Sequence, residues 1–464
     1  LIRMTLDEIA TITGGRLVNA DPALIVSGPV EYDSRAPMPQ GLFVAFEGEN
    51  VDGHDYAATA IAAGAAAVLG TRDTGQPGVV VEEQLAALAK LAHEVVGRLP
   101  ELTVVGLTGS SGKTTTKDYI GQLLARLGET VAPAGSPNNE LGFPCTVLKA
   151  TPETRFLVLE MGARGIGHIA YLAGIAAPRI GAVLNIGAAH IGEFGSKEGT
   201  AQAKGELVES LPADGVAVLN ADDPLVAAMA SRTAARVVLA GESEASTVRA
   251  EHVTLDSRGR AAYELVTGSG SAPVQLAVTG RHQVSNTLVA AAIALDAGMP
   301  VAAVAEALGE VGIRSSRRMD VVERADGVTL IDDSYNANPS STAAALRALT
   351  AMGAGGRTIA VLGYMAELGD QEVAGHEEVG RLAAELGVHR LVAVAEAAAV
   401  LDGAAGVPEW KGESIAAADQ AEAILAVTGD LRPGDVVLVK GSRYRTWKVA
   451  DALRAGTVTG EVSP

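Results

Sequence analysis

Aromatic side chains make up only 3% of the 464 residues although 48% are hydrophobic, so any core has to be assembled from Ala, Val, Leu and Ile. That composition favours α/β layers, in which small branched side chains fill the space between helices and a sheet. Cysteine is nearly absent. Cys145 stands alone, which excludes an intramolecular disulfide and any metal site built from several cysteines. With no histidine motif beside it, it reads as a small buried hydrophobe rather than a nucleophile. Basic residues are in deficit too: 36 Lys and Arg against 55 Asp and Glu give a net charge of −19, which repels nucleic-acid phosphates. No nucleic-acid partner is expected. Uninterrupted apolar runs of membrane-spanning length are lacking, and Leu1-Ile2-Arg3-Met4-Thr5-Leu6-Asp7-Glu8 reads as the start of a helix, not a signal peptide. The expectation is a soluble cytoplasmic chain without membrane insertion. There is no short-period repeat and no low-complexity tail, and the length suggests about three domains.

What is present begins with a loop. Gly106-Leu107-Thr108-Gly109-Ser110-Ser111-Gly112-Lys113-Thr114-Thr115 follows the apolar run Leu102-Thr103-Val104-Val105 and precedes Ile120, Leu123, Leu124 and Leu127 at helical spacing. Strand, glycine loop and helix in that order place bare backbone N–H groups around phosphate oxygens at a helix N-terminus. Lys113 then neutralises the β/γ charge and the Thr114 hydroxyl serves Mg²⁺. A nucleoside triphosphate is the expected ligand. The loop is a variant, T-G-x-x-G-K-T-T, because Leu107 stands where the usual spacing has glycine.

Residues 1–100 alternate short strand and helix signals, with a strand at Leu42-Phe43-Val44-Ala45-Phe46 and an Ala-rich helix near residues 55–63. Gly97-Arg98-Leu99-Pro100 reads as a linker into a second domain, residues 101–312. This unit holds the apolar strands Phe156-Leu157-Val158-Leu159, Ile180-Gly181-Ala182-Val183-Leu184 and Val216-Ala217-Val218-Leu219. Strands of this kind form a parallel sheet whose carboxyl ends bind ligands. From about Val237 to Val278 the pattern turns to short alternating strands, predicting added antiparallel hairpins. The basic segment Gly312-Ile313-Arg314-Ser315-Ser316-Arg317-Arg318 marks the next boundary. Residues 313–464 then predict a Rossmann-like doubly wound unit, with strands at Val328-Thr329-Leu330-Ile331, Thr358-Ile359-Ala360-Val361-Leu362, Leu391-Val392-Ala393-Val394 and Val436-Val437-Leu438-Val439.

Several polar residues stand at the ends of these strands. Glu160 closes Phe156-Leu157-Val158-Leu159 at the sheet edge of the phosphate loop, where it is either a Mg²⁺ ligand or a solvated strand-end acid. His190 repeats the arrangement one strand later, as a site residue or a structural histidine. Lys204 precedes Leu207, Val208 and Leu211 by three, four and seven residues, so it lies on the apolar face of its helix and must either snorkel or be neutralised. Asp332-Asp333-Ser334-Tyr335-Asn336-Ala337-Asn338-Pro339-Ser340 follows a strand and reads as a turn with an N-cap or, given its density of polar side chains, a ligand-binding loop.

Taken with Asp33-Ser34-Arg35, Asn138-Asn139-Glu140-Leu141-Gly142, Glu160-Met161-Gly162-Ala163, Ala203-Lys204-Gly205-Glu206, Gly280-Arg281-His282, Asn286, Arg318 and Lys440-Gly441-Ser442-Arg443, the order of motifs resembles the Mur ligases over nearly the whole chain. These are ATP-dependent enzymes that form amide bonds in peptidoglycan precursors. Within the family, the Asp332 to Pro339 loop and V-L-G-x-M-x-E-L-G at residues 361–369 resemble the branch that joins D-alanyl-D-alanine to UDP-N-acetylmuramoyl-tripeptide. The resemblance implies that the carboxylate is first phosphorylated by ATP and that the amine attacks the acyl phosphate. It implies that Ser34 and Arg35 hold the UDP end, and that Gly109, Ser110, Ser111, Gly112, Lys113, Thr114 and Thr115 hold the nucleotide phosphates. Asn286, Arg318 and Asp333 would complete the ATP site. Thr114 and Glu160 would hold one Mg²⁺, and His190 with a carbamoylated Lys204 a second. Asn138, Asn139, Tyr335, Asn336 and Asn338 would meet the substrates, and a monomer is implied. Three positions depart from the family pattern: Tyr364 where an acid is usual, Gln283 after His282, and Ser136 before Pro137. A folylpolyglutamate-synthetase-like or other Mur-type ligase shares the same chemistry. A regulatory nucleotide switch is the reading from another class, and no Asn-Lys-x-Asp guanine motif occurs to support it.

Overall fold

The computed structural model describes residues 1–48, 51–187 and 196–456 and has a three-domain α/β architecture built on three principal sheets. The first sheet has five strands in the order Arg16–Val18, Gly78–Val80, Ala67–Gly70, Leu42–Val44, Val30–Glu31, of which Arg16–Val18 alone runs antiparallel to its neighbour. The N-terminal helix begins later than the sequence suggests: Met4–Thr5 pair with Ile25–Val26, and Thr5 then caps Leu6–Thr13 in a reciprocal box with Glu8.

The second sheet has nine strands. Thr103–Thr108 lies between Phe156–Glu160 and Ile180–Val183, parallel to both, so Val104, Val105 and Leu107 are buried on both faces. Register sets Glu160 beside Leu107, one residue before Thr108, which brings the carboxylate to the mouth of the phosphate loop. The antiparallel part starts later than expected. Arg236–Gly241 still runs parallel to Val216–Asn220, and Val248–Leu255 runs parallel to it. Only Arg260–Thr267 runs against the other strands, paired antiparallel to Val248–Leu255 on one side and to Gly270–Thr279 on the other, and these last two strands of the sheet are long, 8 and 10 residues.

The third sheet has six strands: Asp320–Glu323, Thr329–Asp333, Val436–Lys440, Thr358–Leu362, Arg390–Val394 and Glu413–Ala417, all parallel except the first. The strand reaches Asp333, and helix Pro339–Met352 starts at the other end of the polar segment, so the loop proper is only residues 334–338.

The first and second units share a core, because Leu88, Leu91 and Val95 of helix Gln84–Gly97 pack with Phe143, Leu172 and Ile175. Each such side chain contributes about 2 kcal/mol on leaving water, enough to fix the two units against each other. Cys145 departs from expectation in being only partly buried, with its thiol pushed up to about 11 by burial. No helix among the described residues is long and apolar enough to cross a membrane.

Candidate active site

The phosphate loop closes on itself through conformations that need glycine. Gly112 has φ 79° at the start of helix Lys113–Leu124, and a Cβ there would stand 2.6 Å from Asn286 Oδ1. At Gly109 a Cβ would come within 2.9 Å of Leu184. Asn185 props the loop from the next strand. Its Oδ1 accepts from the N–H groups of Ser110 (3.1 Å) and Ser111 (2.9 Å), while the Ser110 hydroxyl accepts from Gly187 N–H at 2.9 Å. Lys113 reaches back over the loop and donates to the Gly109 carbonyl at 2.7 Å.

Glu160 is buried at the strand end and fully engaged. Oε2 accepts from the Thr114 hydroxyl at 2.8 Å, and Oε1 from the Ser136 hydroxyl (2.8 Å) and Asn138 Nδ2 (2.7 Å). Burial pushes its carboxyl upward, but Lys113, Arg318 and the Thr114 and Ser136 hydroxyls outweigh it, so Glu160 titrates below the ordinary carboxylate range. Lys113 is also lowered, but by burial itself, and Arg318 adds to this against the pull of Glu160. A hydroxyl beside an ionised carboxylate is a hard oxygen pair of the kind Mg²⁺ takes when waters and phosphates complete its shell, so Thr114 and Glu160 fit the ion. Among the described residues no three or more His, Cys, Asp or Glu side chains are grouped to hold a metal ion.

The third sheet delivers its own carboxyl ends to the same space. Asp333 and Lys440 end adjacent strands in register; Lys440 Nζ donates to Asp333 Oδ2 and, at 2.9 Å, to the Asn336 carbonyl. The Arg318 guanidinium lies 4.2 Å from the Tyr335 ring centroid, held as a cation over an aromatic face, and its buried Nε has no hydrogen-bond partner among the described residues. Burial lowers the proton affinity of His282, against the pull of Asp333. The resulting cleft has a volume of about 700 Å³ and is walled by the phosphate loop, Glu160, Asn286, Arg318 and the Asp333 to Asn338 segment. It can hold a polyphosphate against cations and hydroxyls while a second reactant enters between the sheets.

Most expected residues therefore meet: Ser110 to Thr115, Asn138, Asn139, Glu160, Asn286, Arg318, Asp333, Tyr335, Asn336 and Asn338 line one cleft, with Gly109 just behind its loop. Asn338 does double service, since its Oδ1 caps helix Pro339–Met352 through Ser341 N–H at 2.8 Å. Asn139 likewise accepts from Gly142 N–H at 2.8 Å. Others stand apart. Ser34 and Arg35 follow the first sheet's edge strand Val30–Glu31, away from the cleft, with Arg35 exposed and paired to Asp33 at 2.8 Å. Lys204 is 1% exposed on helix Lys197–Glu209 and does not line the cleft. His190 lies outside the described residues.

Sequence reasoning missed Asn185 and Lys440 as site-forming residues, and both had a readable sign, a polar residue closing an apolar run. Two of the three departures have local roles. Ser136 holds Glu160, and buried Gln283 joins Tyr119 (3.1 Å) to Asn286 (2.9 Å), fixing the asparagine against Gly112. Tyr364 donates to Glu372 at 2.7 Å.

The chain matches the Mur ligase family, catalytic domain over residues 29–96, the Mur ligase middle domain over 107–294 and the Mur ligase, glutamate ligase domain over 317–443. It is 48% identical over 510 residues, covering 100% of both chains, to the UDP-N-acetylmuramoyl-tripeptide--D-alanyl-D-alanine ligase of Mycobacterium tuberculosis. Its fold superposes on a crystal structure of MurF from Acinetobacter baumannii with a TM-score of 0.87 and 31% identity, over 98% of this chain and 99% of that one. MurF ligase from Thermotoga maritima in complex with ADP gives a TM-score of 0.77 and 28% identity, over 92% and 98% of the chains. With that identity sustained from end to end and the fold shared over nearly the whole chain, the chain belongs to the Mur ligase family.

Proposed function

We infer that the protein is an ATP-dependent amide ligase of peptidoglycan precursor synthesis, joining D-alanyl-D-alanine to UDP-N-acetylmuramoyl-tripeptide. The observation that carries this reading is its full-length identity to a relative named for that reaction.

The chemistry asks for what the cleft contains. A carboxylate and an amine do not condense at neutral pH because the leaving group would be hydroxide. The terminal phosphoryl group of ATP therefore moves to a carboxylate oxygen of the tripeptide as ADP departs. The dipeptide amine then attacks the acyl carbon, phosphate leaves, and the nitrogen loses its proton. Lys113 and Arg318 are the cations that face the charge developing on the transferring group, and the loop N–H groups orient it. Mg²⁺ held by Thr114 and Glu160 would supply further charge neutralisation. Walls contributed by two sheets would keep water from the activated acid.

Ser34 and Arg35 take the UDP end on the first domain, residues 1–100. Asn138 and Asn139 guide the peptide along the central domain, residues 101–312. Tyr335, Asn336 and Asn338 meet the incoming dipeptide on the C-terminal domain, residues 313–464. Asn286, Arg318 and Asp333 contact the nucleotide. The burial of Lys204 supports a carbamoylated side chain, because desolvation favours the neutral amine that CO₂ attacks and the product is an anion able to serve a second metal with His190. The protein acts as a cytoplasmic monomer.

Phosphate release from ATP with UDP-N-acetylmuramoyl-tripeptide, measured with and without D-Ala-D-Ala, tests the reading. Release should depend on the dipeptide and exceed that with D-glutamate, L-lysine or diaminopimelate by at least about a hundredfold. Equal use of a single amino acid would overturn the dipeptide assignment, and turnover without any amine would favour a nucleotide switch.

A further inference from the structure

Helix Lys113–Leu124 carries a buried ion pair just beyond the phosphate loop. Lys117 and Asp118 are 3.0 Å apart with side-chain exposures of 0% and 3%. Adjacent residues on a helix point in different directions, so this is not the usual helix-stabilising pair. Buried ion pairs are also weak stabilisers, often replaceable by apolar residues without loss. Each partner instead directs its remaining hydrogen bonds to a chain segment that leads into the cleft.

Lys117 Nζ donates to the carbonyls of Pro133 and, at 2.9 Å, Gly135. The next residues are Ser136, Pro137 and Asn138, two of which hold Glu160. Asp118 accepts from the N–H groups of Arg314 (3.1 Å) and Ser315 (2.8 Å) and from the Ser315 hydroxyl (3.2 Å). Three residues later comes Arg318. The two segments are themselves joined, since Gly135 N–H donates to Ser315 Oγ at 3.1 Å. Beyond Ser315 the chain passes to the third sheet: Tyr335 N–H donates to the Arg317 carbonyl (3.1 Å) and Met319 N–H to Asp333 (3.1 Å). Exposed Ser316 lies between the two sets of anchors.

The geometry points to Lys117 and Asp118 as positioning residues for the ligation. They do not line the cleft, but they fix the segment that orients Glu160 and the segment that carries Arg318 against the helix that begins at Lys113. Three charged groups from distant parts of the chain thus take their relative places from one ion pair. The inference rests on the ligase reading above.

The full-length Asp118→Asn variant tests it. An amide at 118 cannot accept from both backbone N–H groups and the hydroxyl as a carboxylate does, so Arg318 loses its register while the phosphate loop keeps its own contacts. Expected are a drop in kcat of at least about tenfold and a KM for ATP changed by less than about threefold. Because Asp118 acts through Arg318, Asp118→Asn combined with Arg318→Ala should be no slower than Arg318→Ala alone, within about twofold, whereas independent structural damage would multiply. If Asp118→Asn does not fold, Ser315→Ala removes the shared hydroxyl without unpairing a buried charge, and should lower kcat by at least about threefold with the same non-additivity. A wild-type kcat in the folded Asp118→Asn variant, in Ser315→Ala where that variant is unfolded, or multiplicative losses in the doubles, would overturn the inference. Absence of dipeptide-dependent phosphate release by the unaltered protein would instead remove the ligase reading, and this inference with it.

Discussion

Lys113 must be cationic to act on phosphate, yet burial lowers its proton affinity; Glu160 supplies the opposing field. The two are a functional unit: Lys113 lowers the Glu160 carboxyl against burial, and Glu160 opposes the burial that lowers Lys113. Lys113→Ala should leave the fold intact, since among the described residues its side chain bonds within its own loop, to Gly109, and should slow ligation by at least about a hundredfold, or roughly 3 kcal/mol of transition-state stabilisation. Near-normal kcat in the folded variant would dismiss the phosphate-loop assignment. Lys204 is, with Lys117 and Lys440, one of the lysines that the fold buries almost completely, nearly as deeply as Tyr119 or Phe143. If it is carbamoylated, Lys204→Ala should be nearly inactive and short carboxylates in the assay should partly restore it. Lys204→Arg should stay inactive with or without them, because guanidinium remains a cation and fills the space. An intact mass lacking the carbamate under CO₂, together with an active Arg variant, would return Lys204 to a packing role.

At the scale of elements, the third sheet separates chemistry from support. Its carboxyl ends carry Asp333 and Lys440, while its amino ends are tied by Asp430, which meets Arg357 at 2.7 Å and Arg390 at 2.6 Å. Arg390 and Arg357 hold the Asp430 carboxyl far below the ordinary carboxylate range. A folded-state pKa below the unfolded one means that this stabilisation is present above about pH 4 and fades as the pH falls further. Calorimetric melting of Asp430→Asn should therefore show a lower Tm than the parent at neutral pH and a smaller decline between about pH 5 and about pH 3. An unchanged pH slope would show that the acid sensitivity lies elsewhere. Elements of the doubly buried type were legible in the sequence, as Phe156–Glu160 and Thr358–Leu362 show, because a strand covered on both faces reads as an unbroken apolar run. Arg16–Val18, an edge strand of three residues, and Glu413–Ala417, a mostly exposed edge strand, gave no such signal. The direction of Arg236–Gly241 was not legible either, since apolar alternation does not distinguish parallel from antiparallel pairing. In the cleft, Glu160 and the phosphate loop could be read because side-chain type and strand end coincide. The Ser136 and Asn185 contacts depend on segments that meet only in the folded chain.

The whole molecule places one reactive space between two sheets, so the reaction depends on how those sheets stand to each other. Gly187 follows the central strand beside the phosphate loop, and Ser340 is in the first turn of the C-terminal domain's helix Pro339–Met352. A Cβ at Gly187 would lie 3.9 Å from Ser340 Cβ, within the span a disulfide requires. Gly187→Cys with Ser340→Cys should therefore cross-link the central and C-terminal domains under mild oxidant. The chain's single native thiol, Cys145, competes poorly because burial pushes it up to about 11, leaving little thiolate. The cleft of about 700 Å³ must admit a nucleotide, a peptide acid and a dipeptide and then release three products, which a fixed pair of walls would obstruct. The oxidised double variant should lose multiple turnover by at least about tenfold relative to the same protein after reduction. Each single-cysteine variant should be indifferent to oxidant. The comparison is internal to one sequence, so any harm done by a side chain crowding Ser110 cancels between the two redox states. Failure to form the bond would mean that this arrangement of the two sheets is not populated in solution, and full turnover with the bond formed would mean that substrates enter and products leave without the sheets separating.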